Sequence, residues 1–243
     1  MSNSAKRQRT EGFQFKQFFV AHDRCAMKVG TDSIMLGSWA EPGAAVRILD
    51  VGTGSGLLAL MMAQQSGCDS RIFGIDVDAQ AIAQAKDNAK NSPWADKLHF
   101  DCLALQDHAN SGQYDLIISN PPYYPHHHEI AQSRQSARLT ATLSHAALIQ
   151  VVSGLLGKEG RFCCVLPQQV VEQVLWEAGN AGLHLTRRMD VRSQPDKSVS
   201  RVMLEWSLSR PSQFRQESLV IQQQAGHYTQ AFQKLCRGFY VNF

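Results

Sequence analysis

The chain has 243 residues, of which 44% are hydrophobic and 19% charged, with a formal net charge of +3. That supplies the core of one large domain and excludes a disordered chain. The mild basicity is compatible with a nucleic-acid partner but does not demand one.

In chain order, the opening "MSNSAKRQRTEG" has no apolar signal core, and its "KRQR" (Lys6–Arg9) reads as a tail able to touch RNA. "GFQFKQFFV" reads as a strand, with apolar residues at Phe13, Phe15 and Phe19. From residue 46 the pattern alternates. "VRILDVG" is a strand and "LLALMMAQQ" a helix; "RIFGIDVD" is a strand and "AQAIAQAKDNAKN" a helix. "LHFDCL" and "YDLIISN" are strands, and "TATLSHAALIQVVSGLLG" is a helix. "GRFCCVLP" is a strand and "QQVVEQVLWEAGNAG" a helix. "LHLTRRMDV" and "RVMLEWSLSR" follow with no helix between them and should pair antiparallel. The tail after Pro211 is weakly patterned, with a short helix in "YTQAFQKLCRGFY".

Apolar strands separated by helices predict an α/β fold: a doubly wound, seven-stranded, mostly parallel sheet whose last pair is antiparallel. Residues 1–45 read as an N-terminal extension packing on a catalytic domain, residues 46–243. Six cysteines occur (Cys25, Cys68, Cys102, Cys163, Cys164 and Cys236) without a C-x-x-C pair, the usage of a reducing compartment. No apolar run reaches the roughly 20 residues of a membrane span. The expectation is a cytoplasmic protein with no membrane partner. The oligomeric state is not legible. Trp39, Trp94, Trp176 and Trp206 read as packing residues.

"LDVGTGSG" sets Gly52, Gly54 and Gly56 between the first strand of the alternation and its helix. Glycines there permit a tight turn and close approach of a ligand to the backbone, beside the unpaired N–H groups of a helix start. Dinucleotide binding needs G-x-G-x-x-G, and that spacing falls on Leu57. The G-x-G-x-G pattern instead resembles motif I of the class I S-adenosylmethionine-dependent methyltransferases, whose fold is Rossmann-like. The resemblance implies S-adenosylmethionine as cofactor, its amino acid part wrapped by the turn. Asp76 closes the second strand of the alternation, 20 residues after Gly56. A carboxylate there suits both ribose hydroxyls. Asp78 fits a helix N-cap. Asp101 ends the next strand; the resemblance pairs an acid there with the cofactor's adenine amine, and a solvated strand end is the other reading. Asp50 precedes the turn and stands to meet the methionyl amine, directly or through water.

"SNPPYY" follows the fourth strand of the alternation, whose carboxyl end should lie beside the glycine turn. In that setting Asn120-Pro121-Pro122-Tyr123 resembles the N-P-P-[YF] motif of amino-methyltransferases, which act on adenine N6, guanine N2 or glutamine amides. Such nitrogens are poor nucleophiles. The Asn120 oxygen and the Pro121 carbonyl can each accept one N–H and aim the lone pair at the methyl group. Asn120 thus stands beside both cofactor and substrate. Tyr123, next to Pro122, offers a ring for a planar base to stack on.

"FQFKQF" and "MKVGTDSIMLGSWA" make the likeness narrower. Together with the glycine turn and "NPPYY", they resemble the bacterial adenine N6-methyltransferases that modify valine tRNA at position 37, beside the anticodon. This resemblance covers the chain from about Phe13 through the seventh strand. It implies tRNA as partner and places Lys28 to Asp32, with Thr31 and Asp32 chosen, at the edge of the cofactor pocket. A helix N-cap before "SIMLGSWA" is the other reading of that pair. Two further hypotheses remain: a protein glutamine N5-methyltransferase, and a non-catalytic module that binds RNA or cofactor. Beyond the clamp, Arg134 and Arg138 are four residues apart, on a solvated helix face or on a lid that contacts phosphate. His126 to His128 lack acidic or cysteine partners nearby, so no metal is expected.

Overall fold

The computed structural model describes residues 11–108, 112–122, 143–224 and 226–243. It opens with a short antiparallel hairpin, β1 (Gly12–Gln14) and β2 (Phe19–Ala21). The single strand expected over "GFQFKQFFV" is therefore two. Exposed Lys16 and Gln17 form the turn. Phe15 N–H donates to the Phe18 carbonyl at 2.8 Å, and the Gln14 amide donates to both carbonyls. Helix α1 (Thr31–Trp39) follows. Its N-cap is Gly30 with no side-chain capping bond, so neither Thr31 nor Asp32 caps it.

The rest builds one sheet. Its strands are β3 (Arg47–Val51), β4 (Arg71–Asp76), β5 (Leu98–Cys102), β6 (Tyr114–Ser119), β7 (Leu156–Pro167), β8 (His184–Arg192), β9 (Arg201–Ser207) and β10 (Arg215–Val220). The spatial order is β10-β8-β9-β7-β6-β3-β4-β5. Only β9 runs against its neighbours; it pairs antiparallel with both β7 and β8, as the missing helix between "LHLTRRMDV" and "RVMLEWSLSR" requires. The seven expected strands are present, and β10 extends the sheet by pairing parallel with β8. Along β10 only Leu219 is buried, so the strand lacks an apolar signature. It is held instead by Glu217, which accepts from Arg187 Nε at 2.8 Å and Trp39 Nε1 at 2.9 Å.

Helices cover both faces: α2 (Leu57–Gln65), α3 (Ala79–Lys90), α4 (His145–Leu155), α5 (Val171–Asn180) and α6 (Gln230–Cys236). Successive strand residues alternate between two cores. Ile48, Leu116, Ile118, Cys163 and Val165 pack with α1, α2, α3 and the N-terminal hairpin. Leu49, Val51, Ile117, Phe162 and Cys164 pack with α4 and α5. α2 is buried from Leu57 through Ala63, which is why its sequence is apolar all round. Trp39 and Trp206 are fully buried, but Trp176 is 70% exposed, since Val171, Val174 and Ala178 take the inward positions of α5. The hairpin also meets the chain's end: Lys16 N–H donates to the Phe239 carbonyl at 2.9 Å, and Phe15 bridges Tyr240.

Candidate active site

β3 lies between β4 and β6, so the chain crosses over on opposite sides of its carboxyl end. That is the switch point of a doubly wound sheet, where a crevice opens. The glycine turn begins there. Gly52 N–H and Thr53 N–H both donate to the Ile75 carbonyl, at 2.9 and 3.0 Å, which pins the turn onto β4. Gly52 and Gly54 are left-handed (φ 70° and 54°), and a Cβ at either would stand in open space. The turn is thus a bare concave backbone, not a packing contact. Gly56 differs: at φ 81°, its Cβ would come within 3.1 Å of Ala85 and 3.3 Å of Phe100. This glycine lets α3 lie close to the turn.

Asp76, at the end of β4, closes one side of the crevice. One carboxylate oxygen accepts Gly54 N–H at 2.9 Å, and the other accepts Asp78 N–H at 3.0 Å. Asp78 caps α3 by accepting Gln80 N–H at 2.8 Å, so its role is the N-cap. Asp101 lies on β5 in register with Ile75 and is exposed, one strand further out on the same edge.

Asp50 is fully buried beneath the turn. Its Oδ2 accepts the Thr53 hydroxyl at 2.6 Å and Ala59 N–H at 3.0 Å, while Oδ1 is buried without a partner. Burial pushes its carboxyl up to about 7, against two hydrogen bonds that favour the charged form, and nearby Asp76 adds to the rise. A buried acceptor with an open lone pair is costly unless a donor completes it.

The raised value has a consequence for stability. Between the ordinary value of 3.8 and about 7, the folded protein holds a proton at Asp50 that the unfolded chain has released. Stability therefore falls as pH rises through that window and levels off above it. Asp50→Asn does not titrate. In the ligand-free protein it should melt higher than the parent at pH 8, and the gain should shrink away by about pH 4. For a domain of this size each kcal/mol is worth about 2–4 °C. Thermal melts across pH check this; a gain independent of pH contradicts the assignment.

β6 delivers the second half of the site. Ser119 is buried, and its hydroxyl donates to the Val51 carbonyl at 2.9 Å, tying the ends of β6 and β3 together. Asn120 therefore emerges beside Gly52. It is half-buried, followed by buried Pro121 and exposed Pro122. Its Nδ2 donates to Ser33 Oγ at 2.8 Å. Ser33, in the first turn of α1, thus meets Asn120, a contact that the sequence reading passed over for its neighbours. Of those, Asp32 accepts from Arg201 Nε at 2.8 Å. Tyr123, Arg134, Arg138, Lys6–Arg9 and His126 to His128 lie outside the described residues.

Among the described residues, no group of three His, Cys, Asp or Glu side chains is placed to hold a metal ion. No described helix is long and apolar enough to cross a membrane. A cavity of about 320 Å³ exists at the other end of the sheet, lined by Glu41, Arg161, Thr186, Arg187 and Glu205. Within it Glu205 accepts from Arg161 and from Thr186, each at 2.8 Å. The bare turn, the unpartnered Asp50 oxygen and the Asn120 amide sit instead at the carboxyl ends of β3 and β6.

Known proteins resemble this chain. The family model described as "Methyltransferase small domain" matches residues 26–175. Over 99% of both chains, the sequence is 43% identical to the tRNA1(Val) (adenine(37)-N6)-methyltransferase of Salmonella paratyphi B. It is 44% identical to the protein of that name from Pectobacterium carotovorum, over 96% of this chain and 95% of the other. A crystal structure of a predicted O-methyltransferase, protein Atu636 from Agrobacterium tumefaciens, superposes with a TM-score of 0.65 at 17% identity, covering 86% of this chain and 96% of that one, a likeness of fold alone. With two-fifths of its residues identical over nearly its whole length, the chain belongs to the tRNA1(Val) (adenine(37)-N6)-methyltransferase family.

Proposed function

We propose that the protein methylates N6 of an adenine in tRNA, at position 37 next to the anticodon of valine tRNA, with S-adenosylmethionine as the methyl donor. A tRNA substrate places the work in the cytoplasm. The observation that carries the reading is the Asn120-Pro-Pro turn, tied by Ser119 to the end of β3 beside a bare glycine turn. The near-full-length likeness to tRNA adenine methyltransferases favours adenine over a glutamine amide.

The residues present fit this donor. The concave backbone at Gly52 and Gly54 leaves room for an amino acid moiety over the start of α2, while Gly56 keeps α3 close. Asp50 Oδ1 has no protein partner and suits an ammonium group, directly or through water. Each Asp76 oxygen accepts one backbone N–H and keeps a second lone pair, which suits two ribose hydroxyls. Asp101, exposed on the next strand, suits the exocyclic amine of the adenine. Thr31 and Asp32, in the first turn of α1, bound the pocket. When bound, the donor supplies a methyl group made electrophilic by its sulfonium, so the protein needs neither metal nor strong base.

What remains for the protein is to aim the amine. Asn120 Oδ1 accepts one N–H and the Pro121 carbonyl the other. Electron density shifts onto the nitrogen, and its lone pair is held on line. Pro121 has no N–H of its own to compete. Tyr123 and Pro122 form the platform for the flipped base, worth about 1–3 kcal/mol per stacked base. Arg134 and Arg138 hold phosphates.

Purified enzyme, methyl-labelled donor and tRNA from cells lacking the gene supply the test. Nucleoside mass spectrometry should find N6-methyladenine in valine tRNA. Methylated glutamine in protein, with unmodified tRNA, would overturn the reading.

A further inference from the structure

α3 carries two buried side-chain amides one turn apart on the same face, Gln84 and Asn88. Between them lies Ala85, whose small side chain lets Gly56 come close. Gln84 Oε1 accepts the Arg24 backbone N–H at 3.3 Å and Arg24 Nε at 3.2 Å. Asn88 reaches two separate segments. Its Nδ2 donates to the Ala21 and Ser55 carbonyls, each at 2.8 Å, and its Oδ1 accepts Ala21 N–H at 3.0 Å. All of these partners are backbone groups. A carbonyl only accepts and an N–H only donates, so they permit one rotation of the Asn88 amide, and both of its N–H groups are used. Ala21 ends β2, and Ser55 stands in the glycine turn between left-handed Gly54 and Gly56. One side chain thus ties the N-terminal hairpin to that turn.

We propose that Asn88 is a positioning residue for the methyl donor, holding the Ser55–Gly56 peptide of the glycine turn in its binding shape. This role rests on the donor site proposed above. The first half of the turn is fixed from β4: the Ile75 carbonyl takes Gly52 and Thr53 N–H, and Asp76 takes Gly54 N–H. Those bonds end at Gly54. The next carbonyl, that of Ser55, is fixed from α3 by Asn88. Glycine on either side gives this peptide little steric preference of its own. The residue type suits the task. Aspartate would set a second oxygen against two carbonyls, and an apolar residue would leave three backbone groups without this partner. With Asn88 in place, the donor meets a turn whose shape is already set. Without it, donor binding has to order the peptide, and the cost falls on affinity.

Asn88→Ala should raise the Kd for S-adenosylmethionine, read by calorimetry, about five- to thirtyfold, with a matching rise in donor KM. At saturating donor, kcat should stay within about twofold of wild type. A merely structural role would lower the melting temperature and the binding stoichiometry, but not the affinity of the molecules that remain folded. Gln84→Ala is the control. It releases Arg24 from the same helix face without touching Ser55, and should leave the donor Kd at its wild-type value. Should Asn88→Ala not fold, Asn88→Ser carries the same comparison with a smaller rise, since its hydroxyl and a water beside it keep part of the network. An unchanged Kd in the folded Asn88 variant, or an equal rise in Gln84→Ala, overturns the proposal. The wild-type titration keeps the two levels apart. A wild-type enzyme that does not bind S-adenosylmethionine overturns the donor reading and the Asn88 role together, whereas normal wild-type binding beside an unaffected Asn88 variant overturns the Asn88 role alone.

Discussion

Asn120→Ala should remove nearly all methyl transfer, about a hundred- to a thousandfold in kcat, while donor affinity stays near the wild-type value. The magnitude follows from what is lost. Removing one preorganised hydrogen-bonding group that acts on developing charge costs about two to three powers of ten. The split follows from where Asn120 sits. The turn that would hold the donor is pinned by other groups: the Ile75 carbonyl, Asp76 and Asp50. Its anchor to β6 comes from the Ser119 hydroxyl, not from Asn120. Alanine at 120 therefore leaves the pinned turn standing. Besides the hydrogen bond to Ser33 it takes away the acceptor proposed for the amine, so the loss falls mainly on kcat. Calorimetry with the donor and single-turnover rates with tRNA separate the two quantities. A fully active Asn120→Ala enzyme would rule out the clamp.

The parts of this site that the sequence declares are those whose meaning is local. Gly52, Gly54 and Gly56 mark a turn because left-handed backbone is needed within five residues. Asp78 reads as a cap because its partner, Gln80 N–H, is two residues away. Asn-Pro-Pro marks a strand end by its own stereochemistry. The buried strands β3, β6 and β7 show as unbroken apolar runs because helices cover both faces. What the sequence conceals depends on partners far along the chain. Ser33 lies 87 residues from Asn120, and Asp32 lies 169 from Arg201. No spacing rule connects either pair. β10 hides for the same reason: its anchors, Arg187 and Trp39, are 30 and 178 residues from Glu217. Polarity that looks like loop composition is there the fastening of an edge strand. The hairpin of β1 and β2 shows the opposite failure. "FQFKQFFV" has the residues of a strand throughout, and only the reversal at Lys16–Gln17, tied by Gln14, breaks it.

Asp76→Ala should weaken donor binding by at least tenfold and by as much as a thousandfold. Two contributions add. The carboxylate is the proposed acceptor for both ribose hydroxyls, and hydrogen bonds to a charged group are worth about 1.5–3 kcal/mol each. At about 1.4 kcal/mol per tenfold, losing two of them alone exceeds a factor of ten. The same oxygens also hold Gly54 N–H at 2.9 Å and Asp78 N–H at 3.0 Å, so alanine also loosens the bare turn and the entry to α3. Asp76→Asn separates these contributions. The amide oxygen can still accept Gly54 N–H and keep the turn in place. Its NH2 group cannot accept from a hydroxyl and offers only donors where the second oxygen stood. The asparagine variant should therefore fall between wild type and alanine. Unlike the Asn120 variant, both should show a raised KM for the donor and recover much of kcat at saturating donor, because Asp76 acts on binding before and during transfer alike. Isothermal calorimetry of donor binding to the three proteins decides it. Unchanged affinity in Asp76→Ala would sink the ribose assignment, and an asparagine variant as weak as alanine would place the effect in the ribose contacts rather than in the turn.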